Sequence, residues 1–555
     1  MTEGAAAGRP VRFTKALRIF RPETRGNTHP LADVRDRDAK GTGPFEAGNP
    51  ITCRGSIRWF GCPFATLHQP LLGVMRFVLQ ILILVLLSLP SSARVLAQQP
   101  PRNVVFILSD DHRYDMMGFH ENAPEWFETP AMDRMAREGA HLKNAFVTTA
   151  LCSPSRASIL TGQYAHKHQV VDNTSPIPEG TAFFNEDVQR NGYRTAYMGK
   201  WHMGERDDEP MPGWDRWISF RGQGAYNDPL LNIDGERIQH EGYTTDILTD
   251  YAVEWLRERE SDGAPFFLYL SHKAVHAEFY PAERHEGLYV GQPIPYPPSM
   301  ANTERNYRTK PRWVKEQRYS WHGVDYMYHG DMDFDEFYYR YTETLLALDE
   351  SIGRVMDYLD ESGLAENTLL VYMGDNGFLL GEHGLIDKRN AYEESIKVPL
   401  LAYAPGWIAP GTEVDALIRN IDMAPTFLDL THSSTSIEMD GESFLDILGG
   451  AQSGEARDFV YEYYWEPAFP HTPTTFALRG DRYKYIFYHG VWDRDELYDL
   501  QADPNERYNL AEMPEHRARR DDMRRRLFEE MESRDAMIIP VRRAGWQADE
   551  RLMGR

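Results

Sequence analysis

Cysteine is almost absent from this sequence: Cys53, Cys62 and Cys152 are the whole complement in 555 residues. A disulfide framework is thereby excluded, and a buried core must hold the fold. Basic residues are also in deficit, with 60 Lys and Arg against 84 Asp and Glu and a formal net charge of -24. That balance argues against a nucleic-acid partner, which calls for a basic face. It would also repel an anionic substrate, so any such site must be a local hole of Arg, Lys, His and metal charge in an acidic surface. Internal repeats are lacking. The apolar run 77–89 is too short to cross a bilayer comfortably, and no stable membrane anchor is expected.

What is present begins with 42% hydrophobic and 12% aromatic residues, enough to bury a large core in one big domain with a smaller companion. Met75 and Arg76 form a basic start before the apolar run, and Val95, Leu96 and Ala97 end it like a cleavage site. Residues 75–97 therefore read as a secretory signal peptide displaced from the start of the chain. Met75 then reads as the true beginning, and 1–74 as a non-native or disordered extension; a signal-anchor helix behind a cytoplasmic tail is the runner-up. An exported chain, periplasmic or secreted, would keep Cys152 as its only cysteine, which raises the question of what that residue is for.

Apolar runs at 103–108, 195–198, 265–270 and 369–373 have the composition of buried parallel strands. Each ends in polar residues, and open α/β sheets bind ligands beyond the carboxyl ends of their strands. Asp110 and Asp111 follow the first run; one could cap a helix, but capping does not explain a pair. With Asp375 and Asn376 after the fourth run they make four hard oxygen donors, suited to Ca²⁺ or Mg²⁺ and not to zinc. Lys200 and His202 alternate after the second run and are expected to share one face of an extended segment. Ser153 and Pro154 read as a helix start, which puts Cys152 at the helix mouth, where orphan N–H groups and the dipole favour an anion. Arg156 lies about one turn further on and can point back to the same spot.

Cys152-x-Pro154-x-Arg156 followed by Leu160, Thr161 and Gly162 resembles the signature of the formylglycine-dependent sulfatases, and Gly199-Lys200-Trp201-His202-x-Gly204 resembles that family's second signature. The resemblance runs through nearly all of residues 102–534. It implies an α/β fold of alkaline-phosphatase type: a large mixed, mostly parallel sheet flanked by helices over 102–450, and a small α+β subdomain over 451–555. It implies that a formylglycine-generating or anaerobic sulfatase-maturating enzyme oxidises Cys152 to formylglycine (3-oxoalanine). A geminal diol can attack sulfur with one oxygen and expel sulfate by deprotonating the other, a route closed to a plain Ser or Cys ester. By the same resemblance Asp110, Asp111, Asp375 and Asn376, with the oxygen at position 152, hold Ca²⁺, with Mg²⁺ as the alternative. Lys200 contacts formylglycine and sulfate, and His202 positions or deprotonates the hydrate. His276 is the general acid, Lys388 binds sulfate, and Arg156 helps to stabilise the spread negative charge. Val275 stands where the family more often has Pro, which leaves His272 or Lys273 as substitutes for His276. The implied substrate is a sulfated carbohydrate, a glycosaminoglycan or an algal polysaccharide such as ulvan. A phosphate or phosphonate ester hydrolase and a catalytically dead glycan-binding protein are the rival readings.

The remaining chain is less specific. Residues 277–340 are dense in Pro, Tyr, Trp, Arg and His, and helical periodicity resumes only at Tyr341; the insertion is a lid or substrate-binding loop, or equally a self-packed surface loop. Asp387 and Arg389 are expected to brace Lys388 in a salt-bridged loop, and His383 reads as structural or substrate-touching. Residues 414–430 contain an amphipathic helix. Runs 459–465, 475–479 and 483–488 read as antiparallel strands, and 514–534 as a charged, solvated helix.

Overall fold

In a computed structural model that describes residues 102–204, 208–451 and 458–540, the apolar runs become the centre of a ten-stranded sheet. The readings made for 1–97, with Cys53 and Cys62, lie outside the described residues. The strands are β1 (Asn103–Ser109), β2 (Ala140–Phe146), β3 (Arg194–Lys200), β4 (Arg216–Phe220) and β5 (Leu230–Ile233). They continue with β6 (Glu236–Gln239), β7 (Phe266–Ser271), β8 (Thr368–Gly374), β9 (Leu400–Tyr403) and β10 (Thr412–Arg419). Their order is β10-β2-β9-β8-β1-β7-β3-β4-β5-β6. The five strands β8-β1-β7-β3-β4 are mutually parallel, and antiparallel pairing is confined to β9 and to the β4-β5-β6 edge. This is the mixed, mostly parallel sheet that the family resemblance implies, with the apolar runs as its parallel centre.

Both faces of β1 are buried, which is why its sequence is a continuous apolar run rather than an alternation. Val104, Phe106 and Leu108 pack to one side, where the helices Cys152–Thr161, Phe184–Arg190 and Met423–Leu430 lie. Val105 and Ile107 pack to the other, against Thr244–Arg259 and the long helix Phe334–Glu361. Phe427 anchors the first side, with ring centroids 5.3 Å from Phe106, 5.6 Å from Phe184 and 5.2 Å from Phe267.

A second, antiparallel sheet follows: β11 (Phe459–Tyr463), β12 (Thr475–Arg479), β13 (Tyr483–Tyr488) and β14 (Glu496–Asp499), covered by the helix Arg517–Ser533. The Glu462 N–H of β11 donates to the Thr148 carbonyl, joining this sheet to the segment that leads into the Cys152 helix.

Two local expectations need correction, and a third needs its bounds. The helix expected within 414–430 is present but begins only at Met423, after β10 runs to Arg419 and a short 3-10 turn follows. The β-branched Val414 and Ile418 pair into the sheet beside β2, and tertiary pairing wins over the local helical pattern. The long helix starts at Phe334 rather than Tyr341, because Asp333 caps it by accepting from the Glu336 N–H at 2.9 Å. Lys200 closes β3, but His202 adopts a left-handed backbone (φ 54°), so the two do not share a face by strand alternation.

Candidate active site

Register brings the polar strand ends together. Ser109 pairs with Gly374 across β1 and β8, and Leu108 with Ser271 across β1 and β7. The next residues continue the ladder: the Asp375 N–H donates to the Ser109 carbonyl at 2.9 Å, and the Asp110 N–H to the Ala274 carbonyl at 2.9 Å. Asp110, Asp111, Asp375 and Asn376 therefore emerge side by side at one edge, all fully or almost fully buried. One carboxylate oxygen from each Asp lies within 4.8 Å of the others. Asp111 takes a left-handed backbone (φ 59°) and donates its N–H to Asp375 Oδ1 at 3.2 Å, a local strain that turns its side chain into the cluster.

Cys152 begins its helix as expected, with Leu151 as the extended residue before it. Its Sγ lies 3.3 Å from Asp110 Oδ1 and accepts from Lys388 Nζ at 2.9 Å. Burial, reinforced by Asp110, pushes the thiol up to about 12. Lys388 also pairs with Asp111, and Lys200 pairs with Asp110 and donates to Gln223 Oε1 at 2.6 Å. Burial works against ionisation of Asp110, but Lys200, His276, Lys388 and Arg156 outweigh it and hold the carboxyl well below its ordinary value. Burial and the neighbouring carboxylates push Asp375 up to about 7, against the pull of Arg156.

Arg156 is wholly enclosed. Its Nε donates to Asp375 Oδ2 at 2.9 Å, and its Nη1 to the Lys200 carbonyl at 2.7 Å and Ser271 Oγ at 2.5 Å. It points back towards Cys152's neighbours as expected, but it clamps the ends of three strands instead of offering a free guanidinium. His202 Nδ1 lies 3.3 Å from Ser153 Oγ, and its Nε2 3.1 Å from Gln223 Nε2. His276 Nε2 lies 4.0 Å from Asp111 Oδ2, and its side chain keeps 16% exposure, which leaves it open to an incoming ligand where the carboxylates are sealed. The substitutes fare worse. His272 is buried against Ser351 Oγ at 2.9 Å, and Lys273 sits 4.6 Å over the Tyr226 ring.

The expected positive hole counts a metal among its charges, and the protein's own share of the balance can be read from the ion pairs. Asp110, Asp111 and Asp375 are matched by Lys200, Lys388 and Arg156, so the protein side of the site is close to neutral. A divalent cation would tip it positive. The donor set fits one: three carboxylates converge, and Asn376 Oδ1 is buried with no hydrogen-bond partner, a costly state for an amide oxygen. Asn376 Nδ2 meanwhile donates to Asp111 Oδ1 at 2.7 Å, which fixes which end of the amide is left over.

Sequence reasoning missed several supporting residues. Gln223, in the turn after β4, bridges Lys200 and His202; a strand at 216–220 followed by Gly222 and Gly224 was its only signal. Tyr341 donates to the Asp111 carbonyl at 2.7 Å. Asp387 and Arg389 pair with each other at 3.0 Å on either side of Lys388, as expected of a brace. His383 is structural: it is buried and packs 4.1 Å from the Tyr392 ring. Part of the insertion reaches the site, since His322 accepts the Ile386 N–H through its carbonyl at 2.8 Å and lies 3.4 Å from Asp387. His322, the half-exposed Trp321 and Phe469 form a three-ring cluster, with centroids 4.7 Å (His322–Trp321), 4.8 Å (His322–Phe469) and 6.2 Å (Trp321–Phe469) apart and the Arg389 guanidinium 3.6 Å from the Phe469 ring centre.

Comparison with known proteins agrees with this geometry. A family model described as "Sulfatase" matches residues 102–433, and one described as "N-sulphoglucosamine sulphohydrolase, C-terminal" matches 381–533. The chain is 32% identical over 502 residues to an N-acetylglucosamine-6-O-sulfatase of Bacteroides thetaiotaomicron, covering 80% of this chain and 88% of that protein. It is 29% identical over 469 residues to the N-acetylglucosamine-6-sulfatase of Homo sapiens, covering 74% and 81%. A solved structure described as a complex with its substrate D-glucosamine-2-N,6-O-disulfate superposes with a TM-score of 0.73 at 29% identity, covering 79% of this chain and 99% of that one. The phosphonate monoester hydrolase of Agrobacterium radiobacter shares the fold, with a TM-score of 0.64 at 20% identity over 78% of this chain and 96% of that one.

Proposed function

The chain belongs to the sulfatase family, and from that premise we propose that it hydrolyses the 6-O-sulfate ester of N-acetylglucosamine or glucosamine residues in a glycosaminoglycan. The observation that carries the choice of sugar is the similarity to N-acetylglucosamine-6-sulfatases over 74–80% of the chain in the bacterial and human proteins, joined by the likeness to a structure holding a 6-O-sulfated glucosamine. Ulvan is the weaker reading, at 27% identity to an ulvan-active sulfatase of Formosa agariphila.

In this reading Cys152, matured to formylglycine, supplies the nucleophilic oxygen, and Sγ marks where that oxygen would lie. Asp110, Asp111, Asp375 and Asn376 would hold Ca²⁺, which would polarise a sulfate oxygen and neutralise charge in the pentavalent transition state. The chain's own residues do the rest. Lys388 Nζ, at 2.9 Å from Sγ, and Lys200 donate to the sulfate oxygens as charge spreads over them. Arg156 holds Asp375, Lys200 and Ser271 in register and so keeps both the metal ligands and the lysine in place. His276, the member of the set that retains solvent access, delivers a proton to the departing sugar oxygen. His202, held between Ser153 and Gln223, accepts the proton of the second hydrate oxygen as sulfate leaves. The exposed Trp321 of the Trp321–His322–Phe469 cluster offers an apolar ring face to a pyranose. Export to the periplasm or beyond fits a substrate that is extracellular.

A positional screen tests the assignment. Matured enzyme should release sulfate from N-acetylglucosamine 6-sulfate and glucosamine 2-N,6-O-disulfate at the 6-position, and leave galactosamine and uronic acid sulfates untouched. Preferred turnover of a phosphonate monoester would transfer the chain to the rival hydrolase reading instead.

A further inference from the structure

Away from the catalytic edge, a cavity of about 490 Å³ opens between the insertion and the turn joining β13 to β14. Arg308, Arg312, Lys315 and Arg494 line it, in a protein whose formal charge is -24. With the buried Lys310, cations outnumber carboxylates in the lining five to three, the acids being Glu304, Glu316 and Asp493. Arg312 Nε pairs with Glu316 at 2.5 Å, and the Arg312 N–H donates to Asp493 at 2.5 Å. Arg494 pairs with Glu512 only at 3.5 Å. Arg308 and Lys315 are exposed and, among the described residues, form no ion pair, although Lys315 lies 5.8 Å over the Tyr307 ring. Aromatic faces accompany the cations: Tyr319 is 57% exposed in the lining, and Trp492, the residue before the lining Asp493 in the chain, is fully exposed. An indole left wholly in water costs hydration, and exposed aromatics beside unneutralised cations suit a ligand that carries both apolar ring faces and anionic groups.

We infer that this cavity is a second saccharide site, which grips sulfate or carboxylate groups of the polymer through Arg308 and Lys315 and stacks a sugar ring on Trp492. The inference rests on the saccharide reading above and extends it from a single sugar to a chain. Geometry links the two sites. Lys315 lies on the helix Arg312–Gln317, and the amide of Gln317 on that same helix donates to Asp387 Oδ2 at 3.2 Å, next to Lys388. One short helix thus touches the cavity through Lys315 and the neighbour of Lys388 through Gln317, so the two sites share a supporting element. The acidic remainder of the surface repels the same polymer, so the cavity would also orient its approach.

The test uses the full chain with Cys152→Ala for binding and the matured enzyme for turnover. Calorimetric titration with a heparin octasaccharide should show affinity falling about tenfold in Arg308→Ala/Lys315→Ala, the loss of about 1.4 kcal/mol expected from two exposed charge contacts, and falling likewise in Trp492→Ala. Turnover of N-acetylglucosamine 6-sulfate should stay unchanged in both, which also shows that the variants fold. Octasaccharide affinity indifferent to these substitutions would overturn the second site. Octasaccharide binding that depends on Arg308 and Lys315, in a protein that releases no 6-sulfate from any sugar, would keep the cavity and remove the catalytic assignment.

Discussion

Asn376 shows most clearly how the site differs from a structural ion-pair network. Its Nδ2 is used twice, on Asp111 Oδ1 and on the Gly377 carbonyl, while Oδ1 has no partner in a fully buried position. A buried unpaired oxygen beside three carboxylates costs stability unless a cation completes it. We therefore expect Ca²⁺ to raise the melting temperature of the protein, by the linkage of about 2.7 kcal/mol at a hundred times its Kd. Asn376→Leu should lose most of that rise, read for each protein relative to its own melting temperature in chelator, since the variant also loses the Nδ2 bonds. A calcium-dependent shift of equal size in the variant would show that the ion binds elsewhere.

At the scale of elements, the site depends on how closely β3 and β7 approach. Gly199 sits at φ 116°, and a Cβ placed there would fall 1.8 Å from the Ser271 carbonyl oxygen. Glycine is needed for both reasons. Gly199→Ala should push the two strand ends apart, and with them Lys200 and the Ser271 hydroxyl that Arg156 holds. The expected outcome is a fall in kcat of a hundredfold or more, from ångström-scale misplacement of the donors, with a loss of stability of about 1–3 kcal/mol. Denaturant unfolding alongside kinetics checks it, and a variant with wild-type kcat would contradict the arrangement.

The same scale explains what the sequence disclosed. Strands β1, β3, β7 and β8 announce themselves because both faces are buried and their cores are apolar, and the residues that follow them carry the chemistry, so the metal-type cluster could be named from the strand ends, and Cys152 from its place at a helix mouth and the resemblance of its motif. His202 could be named but not oriented, since nothing local forecasts a left-handed backbone at a histidine. Gln223 could not be named at all: it acts from the turn after β4, a strand whose pattern is weak because it lies towards the sheet edge. Arg156 was visible as a residue that points back to the site, but its clamping role was not, since its three partners come from the ends of β3, β7 and β8 and meet only in the folded sheet.

Across the whole molecule, the small sheet is fastened to the large one through buried charge. Glu393 takes Lys484 Nζ of β13 at 3.0 Å and Arg479 Nη2 of β12 at 3.1 Å, and Lys484 also reaches Glu506 at 2.8 Å. Glu394 is left over. Burial, then the proximity of Glu382 and Glu506, raises it to about 8. A carboxyl raised from an unfolded value near 4.5 binds its proton more tightly in the native state, so the protein loses stability as pH rises through the window between about 4.5 and 8. Replacement by an uncharged isostere removes that loss. Glu394→Gln should therefore melt higher than the wild type at pH 8, by on the order of a few kcal/mol, and equal it near pH 4.5. Thermal denaturation across that range checks the sign, and a variant less stable at pH 8 would contradict it.

All of the chemistry proposed here converges on the state of one side chain, and trypsin releases it conveniently, since Lys143 and Arg156 bound a peptide over 144–156. The most direct measurement is the mass of that peptide from protein co-expressed with a formylglycine-generating enzyme, read alongside sulfatase activity in the same preparations. The account predicts that position 152 carries an aldehyde in place of the thiol, and that activity on N-acetylglucosamine 6-sulfate scales with the aldehyde fraction. Full activity in preparations whose peptide retains an unmodified cysteine would contradict it.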